Sequence, residues 1–155
     1  MKKLIEDFKK ARLALIQALD SFPKEKREEV LFGEWTLKDL VAHLSGWNIA
    51  GAKAVRSLKQ GKVPPWAGKI SEFNKLNVRK RKNWSWEKTY QELLKASKEF
   101  IEEYENLPEE LWEKRYWPKK DYTPKKILMI ELKHYRETHL PQILKFKQKS
   151  QSSQS

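Results

Sequence analysis

The chain has no cysteine, so it can form no disulfide, offer no thiolate nucleophile of its own and build no cysteine metal site. Glycine is scarce at five residues and histidine scarcer at three. With 39% hydrophobic and 35% charged residues, this composition excludes collagen-like, mucin-like and disulfide-stapled classes and leaves a globular protein with a heavily charged surface. No stretch approaches the roughly 18 uninterrupted apolar residues that a membrane span requires, and no membrane partner is expected. The first residues, MKKLIEDFKKARLALIQALDSF, are interrupted by Glu6, Asp7, Lys9, Lys10 and Arg12. They are too charged for the apolar segment of a signal peptide, which makes the cytoplasm the expected location. There is no repeat of solenoid period and no alternating strand pattern, and no motif for a nucleotide, flavin or other organic cofactor.

What is present is tryptophan, seven in 155 residues, and a strong helical period. Leu4, Ile5, Phe8, Ala11, Leu15, Ile16 and Leu19 recur at intervals of three and four, the stripe of an amphipathic helix that ends before Pro23. Thr36 opens T-L-K-D, a hydroxyl N-cap with an acid three positions on, which predicts a second helix over about 37–60 that Gly61 stops. GKVPPWAGKI reads as a stiff loop and SEFNKLNVRKR as a short helical piece. Ser85 caps a third long helix with Trp86, Tyr90, Leu93, Leu94, Phe100, Ile101 and Tyr104 for its buried side, closed before Pro108. Thr123 and Pro124 are an N-cap and N1 proline that start a fourth, reaching about Lys147. Four helices of about 20 residues predict an all-α antiparallel four-helix bundle with long connections after helices two and three. A single domain is expected over 1–147, followed by a disordered polar tail over 148–155.

Thirty-three Lys plus Arg against 21 Asp plus Glu give a formal charge of +12. Nucleic acid is nevertheless not the expected partner. Lysine, a poorer bidentate reader than arginine, supplies most of the positive charge. The basic clusters at 79–82, 119–120 and 125–126 also alternate with acidic runs such as P-E-E-L-W-E, as on a solvated face. Trp35, Trp47 and Trp66 are the expected aromatic lining of a ligand site at the bundle mouth, with Trp84, Trp86, Trp112 and Trp117 packing the connections. Asn48, Phe73, Asn74 and Asn77 join the ligand-binding set, Asn74 and Asn77 because two amides three residues apart share one side of a helix. A second copy of the chain covering exposed tryptophan would give a homodimer.

The chemistry centres on His43, His134 and His139, because three histidines with an open fourth position can hold a catalytic metal. The spacing of the last two is the difficulty: five residues place side chains about 140° apart on an ideal α-helix. Pro141 cannot donate to the carbonyl of Glu137, and one π-type turn would bring i and i+5 to the same face. A kink or π-bulge is therefore expected between about 134 and 141. Glu137 and Tyr135 are the candidate catalytic partners, the carboxylate as a base and the phenol turned toward the cleft.

G-E-W-T-L-K-D-L-V-A-H-L-S-G-W-N at 33–48, E-F-N-K-L-N at 72–77 and H-Y-R-E-T-H-L-P-Q-I at 134–143 together resemble the ClbS/DfsB family of DinB/YfiT-like four-helix bundle proteins, in order and spacing over nearly the whole chain. The resemblance implies an up-down-down-up bundle related to metal-dependent thiol transferases and to bacillithiol- or mycothiol-dependent enzymes. It implies a divalent metal, zinc or nickel, with His43 mapping onto the ligand of helix two and His139 onto the last ligand of helix four. Relatives tend to read H-Y-x-E-H, so this chain carries one extra residue, and Tyr135 stands where a ligand four positions before His139 would be. The expected function is a metal-dependent hydrolase or thiol transferase acting on a small electrophilic molecule. The alternatives are a metal-free protein that binds or sequesters such a molecule in self-protection and, third, a nucleic-acid-binding module.

Overall fold

Apolar stripes at helical spacing, separated by prolines and caps, specify an all-helical chain, and the computed structural model describes it over residues 1–66 and 68–152, with side chains as far as Lys149. Among the described residues six α-helices follow one another: α1 Lys2–Asp20, α2 Leu37–Lys59, α3 Ile70–Lys80, α4 Trp86–Glu105, α5 Pro124–Lys133 and α6 Leu140–Ser152. A π-helical turn, His134–His139, joins α5 to α6 into one continuous helical segment. Among the described residues the only strand-like pairing is an isolated bridge between Phe32 and Trp35. The all-α class, the four long helical segments and the short fifth piece are those the periodicity predicts. Of the tail expected to be disordered, residues up to Ser152 continue α6, and 153–155 lie outside the described residues.

Local chemistry sets the boundaries. The Ser85 hydroxyl accepts from the Lys88 amide at 3.1 Å and the Thr123 hydroxyl from the Lys126 amide at 3.1 Å, each satisfying a first-turn donor that has no partner within the helix. At the end of α2, Gly61 takes φ 71°, the left-handed region that costs glycine nothing. Its amide donates to Leu58 O at 3.0 Å while that of Lys62 reaches Ser57 O at 2.8 Å, the paired bonds of a Schellman stop. No helix among the described residues is long and apolar enough to cross a membrane.

The chain divides into two compact units, Met1–Lys38 with Leu128–Ser155, and Asp39–Ile127. In the first, α1 buries Ile5, Phe8, Ala11, Leu15, Ala18 and Leu19 and packs on the π turn and α6. The Phe8 ring lies 4.9 Å from that of Tyr135, and Phe32 meets Phe146 edge-on at 4.8 Å. In the second unit, an aromatic series from Phe100 through Tyr104 to Trp112 fills the core, and the Tyr104 hydroxyl donates to Pro124 O at 2.7 Å, fixing the start of α5 on α4.

Within that second unit α3 is fastened by polar groups. Arg81, only 3% exposed, pairs with Glu92 of α4 at 2.5 Å and donates to the backbone oxygen of Asn77 at 3.0 Å and to its side-chain oxygen at 3.3 Å. Asn77 in turn lies against α2 where Gly46 has no side chain: a Cβ there would stand 2.1 Å from Asn77 Cγ. Since the amide is held by Arg81 and by Phe73 O at 3.0 Å, it cannot swing aside cheaply. Gly46→Ala is expected to lower stability by about 1–3 kcal/mol through overpacking, read as a fall in thermal midpoint; a variant as stable as the parent would mean that α3 does not approach α2 this closely.

Candidate functional site

The unit Asp39–Ile127 carries the first cluster of functional side chains. His43 and Trp47, four apart on α2, share a face, and Asn74 of α3 stands opposite. Its side-chain oxygen accepts from Trp47 Nε1 at 2.6 Å and meets His43 Nδ1 at 3.0 Å. An indole nitrogen can only donate, so the Asn74 group at this point is the carbonyl oxygen, and an oxygen acceptor requires His43 Nδ1 to carry its proton. The neutral imidazole then has its lone pair on Nε2. The Trp47 ring sits 4.6 Å from Phe73, inclined at 66°, which closes an apolar side on the same group. His43 is buried, as are Asn48 and Asn77, while Trp47, Phe73 and Asn74 are half-buried.

The two helices meet in register. His43 faces Asn74, and three residues on along both helices Gly46 faces Asn77. The two amides predicted to share a side of α3 do so but differ in use. Asn74 turns to the side chains of α2, whereas Asn77 is occupied by Arg81 and the backbone of its own helix.

The unit containing the chain ends carries the second cluster, built on the π turn. The Leu140 amide reaches back to Tyr135 O, a bond over five residues that absorbs the extra residue and sits beside Pro141, which has no amide proton to offer. The rings of His134 and His139 come to 6.1 Å between centroids. The expected π-bulge is therefore present, and it brings together two side chains that a regular helix would separate. His134 is exposed and His139 is buried, with Nδ1 at 3.4 Å from Gln142 Oε1. Burial drives the His139 pKa down to about 4, the hydrogen bond that Nδ1 donates to the Gln142 oxygen opposes this, and the neighbouring His134 adds to the lowering. Partial burial and then the Lys133 charge also lower His134, so both imidazoles are neutral at pH 7 and carry lone pairs. Tyr135 is fully buried against Phe8, and Glu137 is exposed on the turn.

Trp35 is half-buried in the short bridge before α2. Trp66 stands in a different group, 4.8 Å from Trp117 and 6.2 Å from Tyr122. Among the described residues no group of three His, Cys, Asp or Glu is placed to hold a metal ion.

Glu131 has no counterpart in the sequence reading. It lies in the run I-L-M-I-E-L-K between buried Leu128 and Leu132 and four residues before buried Tyr135, so the buried stripe of α5 passes through it. The signal available was that position, a carboxylate at core spacing. Burial raises its pKa from 4.5 to about 7, so between these values the folded chain holds a proton that the unfolded chain has released. Stability from this group is complete below the unfolded value and falls as pH rises through the folded one, by roughly 3 kcal/mol in all. Glu131→Gln, which keeps shape but cannot ionise, is expected to remove this decline, so that the variant exceeds the parent in denaturant midpoint at about pH 8 and matches it at about pH 4; parallel curves across that range would show that Glu131 ionises freely in the fold.

Comparison with curated proteins and with solved structures returned no match. A protein-family model, described as the mycothiol maleylpyruvate isomerase N-terminal domain, matches residues 5–132. That range contains most of α1, all of α2 to α4 with the His43, Trp47 and Asn74 cluster, and most of α5, and it stops just before the π turn. The chain belongs to this family, a helical domain of the DinB/YfiT-like superfamily.

Proposed function

We propose that the chain is an enzyme that joins a low-molecular-weight thiol to a small electrophilic molecule, with His43 as the general base. The observation that carries this reading is the hydrogen bond between His43 Nδ1 and the Asn74 oxygen, shared with Trp47, because it assigns the basic lone pair to Nε2. The family description supplies the chemical class: it names a thiol, mycothiol, and an isomerase of maleylpyruvate. The chain itself has no cysteine, so the sulfur comes from a co-substrate. The thiol S–H bond breaks as its proton passes to Nε2, and the sulfur electron pair forms a C–S bond to the electrophilic carbon. The displaced electron pair moves to the adjacent acceptor atom, which the imidazolium then protonates. Asn74 keeps the ring oriented, and Trp47 with Phe73 presents an apolar wall to the substrate. The cytoplasm, where such thiols stay reduced, is the proposed location.

A divalent metal is a second reading, favoured by the two neutral imidazoles 6.1 Å apart on the π turn. They are two donors, and the described residues gather no third, so no step above runs through a metal; an ion there would lower the pKa of a bound water or thiol. Zinc and nickel analysis of untagged protein tests it: about one ion per chain lost in His134→Ala supports the metal, and no ion in the parent removes it. The main proposal is tested by following consumption of mycothiol, bacillithiol and glutathione against maleylpyruvate and related unsaturated carbonyl compounds. Catalysed multiple turnover is expected, with kcat lower by at least about 100-fold in His43→Gln. Uptake that stops at one equivalent would instead identify a sequestering protein, and a rate unchanged in His43→Gln would remove the base assigned here.

A further inference from the structure

The loop between α2 and α3 and the one between α4 and α5 form a surface that the thiol chemistry does not use. The first, K-V-P-P-W-A-G-K-I over residues 62–70, contains no acidic residue. It holds three of the large apolar side chains that the chain leaves exposed: Val63 at 63%, Trp66 at 47% and Ile70 at 60%. The two loops are fastened together, since Trp117 Nε1 donates to Pro64 O at 2.7 Å and the Trp117 ring meets Trp66 edge to face at 4.8 Å. This brings the K-R-Y-W-P-K-K segment, 114–120, alongside. The Lys120 ammonium lies 4.1 Å over the Trp66 ring. Asp121, the acid that follows, is taken up by Arg115 at 3.9 Å and Lys126 at 3.2 Å. The result is an exposed apolar group with Lys120 over its indole and exposed Lys62, Lys69 and Lys119 close by along the two loops.

We infer that this paired-loop surface docks on an anionic lipid bilayer, with Val63, Trp66 and Ile70 entering the headgroup region and Lys62, Lys69, Lys119 and Lys120 meeting the lipid charges. Charge complementarity selects a polyanionic partner. The apolar side chains select lipid over single-stranded nucleic acid. Val63 and Ile70 offer a base no ring to stack on, and the Trp66 ring has one face under the Lys120 ammonium and contacts Trp117 edge to face. Tryptophan beside lysine is also the pairing that settles at a bilayer interface. The surface lies wholly within Asp39–Ile127, and its binding is peripheral.

Flotation with phosphatidylcholine vesicles, with and without about 30 mol% phosphatidylserine at about 0.1 M salt, tests the inference on the full chain. The parent is expected to float with the anionic vesicles and not with the neutral ones. Lys119→Glu with Lys120→Glu should weaken binding by at least about tenfold, and Trp66→Ser by about fivefold. Lys2→Glu with Lys10→Glu, an equal charge change on exposed positions of α1, should leave most of it. Far-ultraviolet circular dichroism and thermal midpoints establish that each variant is folded. Equal loss in the α1 variant would mean that net charge alone drives association and would overturn the assigned surface. So would absence of flotation by the parent, or binding of single-stranded oligonucleotides, but not vesicles, that depends on Lys119 and Lys120.

Discussion

The side-chain oxygen of Asn74 takes hydrogen bonds from two side chains of α2, one of which can only donate, and the candidate chemistry follows from that constraint. Trp47 can only donate, so the Asn74 group cannot be reversed, and His43 is left one role at Nδ1. Each bond contributes on the order of 1 kcal/mol. Their larger effect is orientational, because the same contacts hold α3 in register on α2. The glycine three residues after His43 admits the amide three residues after Asn74, and the buried guanidinium of Arg81 holds that amide while pairing with Glu92 of α4. A short, mostly polar helix that could not form alone in water is in this way made a rigid support for the imidazole.

A second constraint acts on the last helical segment. Proline at 141 removes an amide proton one turn after Glu137, and the ladder responds by reaching from Leu140 to Tyr135. The π turn that results places His134 and His139 together, keeps Tyr135 on the buried stripe against Phe8 and leaves Glu137 in solvent. The stripe also takes in Glu131, whose buried carboxyl is a neutral acid over part of the physiological range. One helical segment thus carries two neutral imidazoles and a protonatable carboxyl at positions set by backbone geometry.

Much of this was legible because it is local. Ser85, Thr123 with Pro124, and Gly61 set their helix ends through bonds to neighbours a few residues away, and each works as its residue type predicts. The π turn could be anticipated from a five-residue histidine spacing beside a proline. What escaped the sequence depends on partners distant along the chain. Arg81 reads as one more cation in R-K-R-K, and only the fold shows it buried on Glu92. Glu131 is passed over although it stands at core spacing in I-L-M-I-E-L-K, and the burial of Leu128, Leu132 and Tyr135 around it shows the carboxyl to be enclosed. Asn74 and Asn77 look alike on paper, and the register with α2 separates an acceptor for His43 from a packing amide. Trp66, expected beside Trp35 and Trp47, is drawn instead to Trp117 by the hydrogen bond that joins the two long loops.

The central claim is the protonation of one ring: His43 with its proton on Nδ1 and its lone pair on Nε2. Long-range proton–nitrogen NMR of the histidine side chains at about pH 8, where free imidazole is neutral, reads it directly. A His43 signal of the Nδ1–H tautomer, with Nε2 unprotonated, is the predicted result. A proton found on Nε2, or a signal averaged over both nitrogens, would contradict the account.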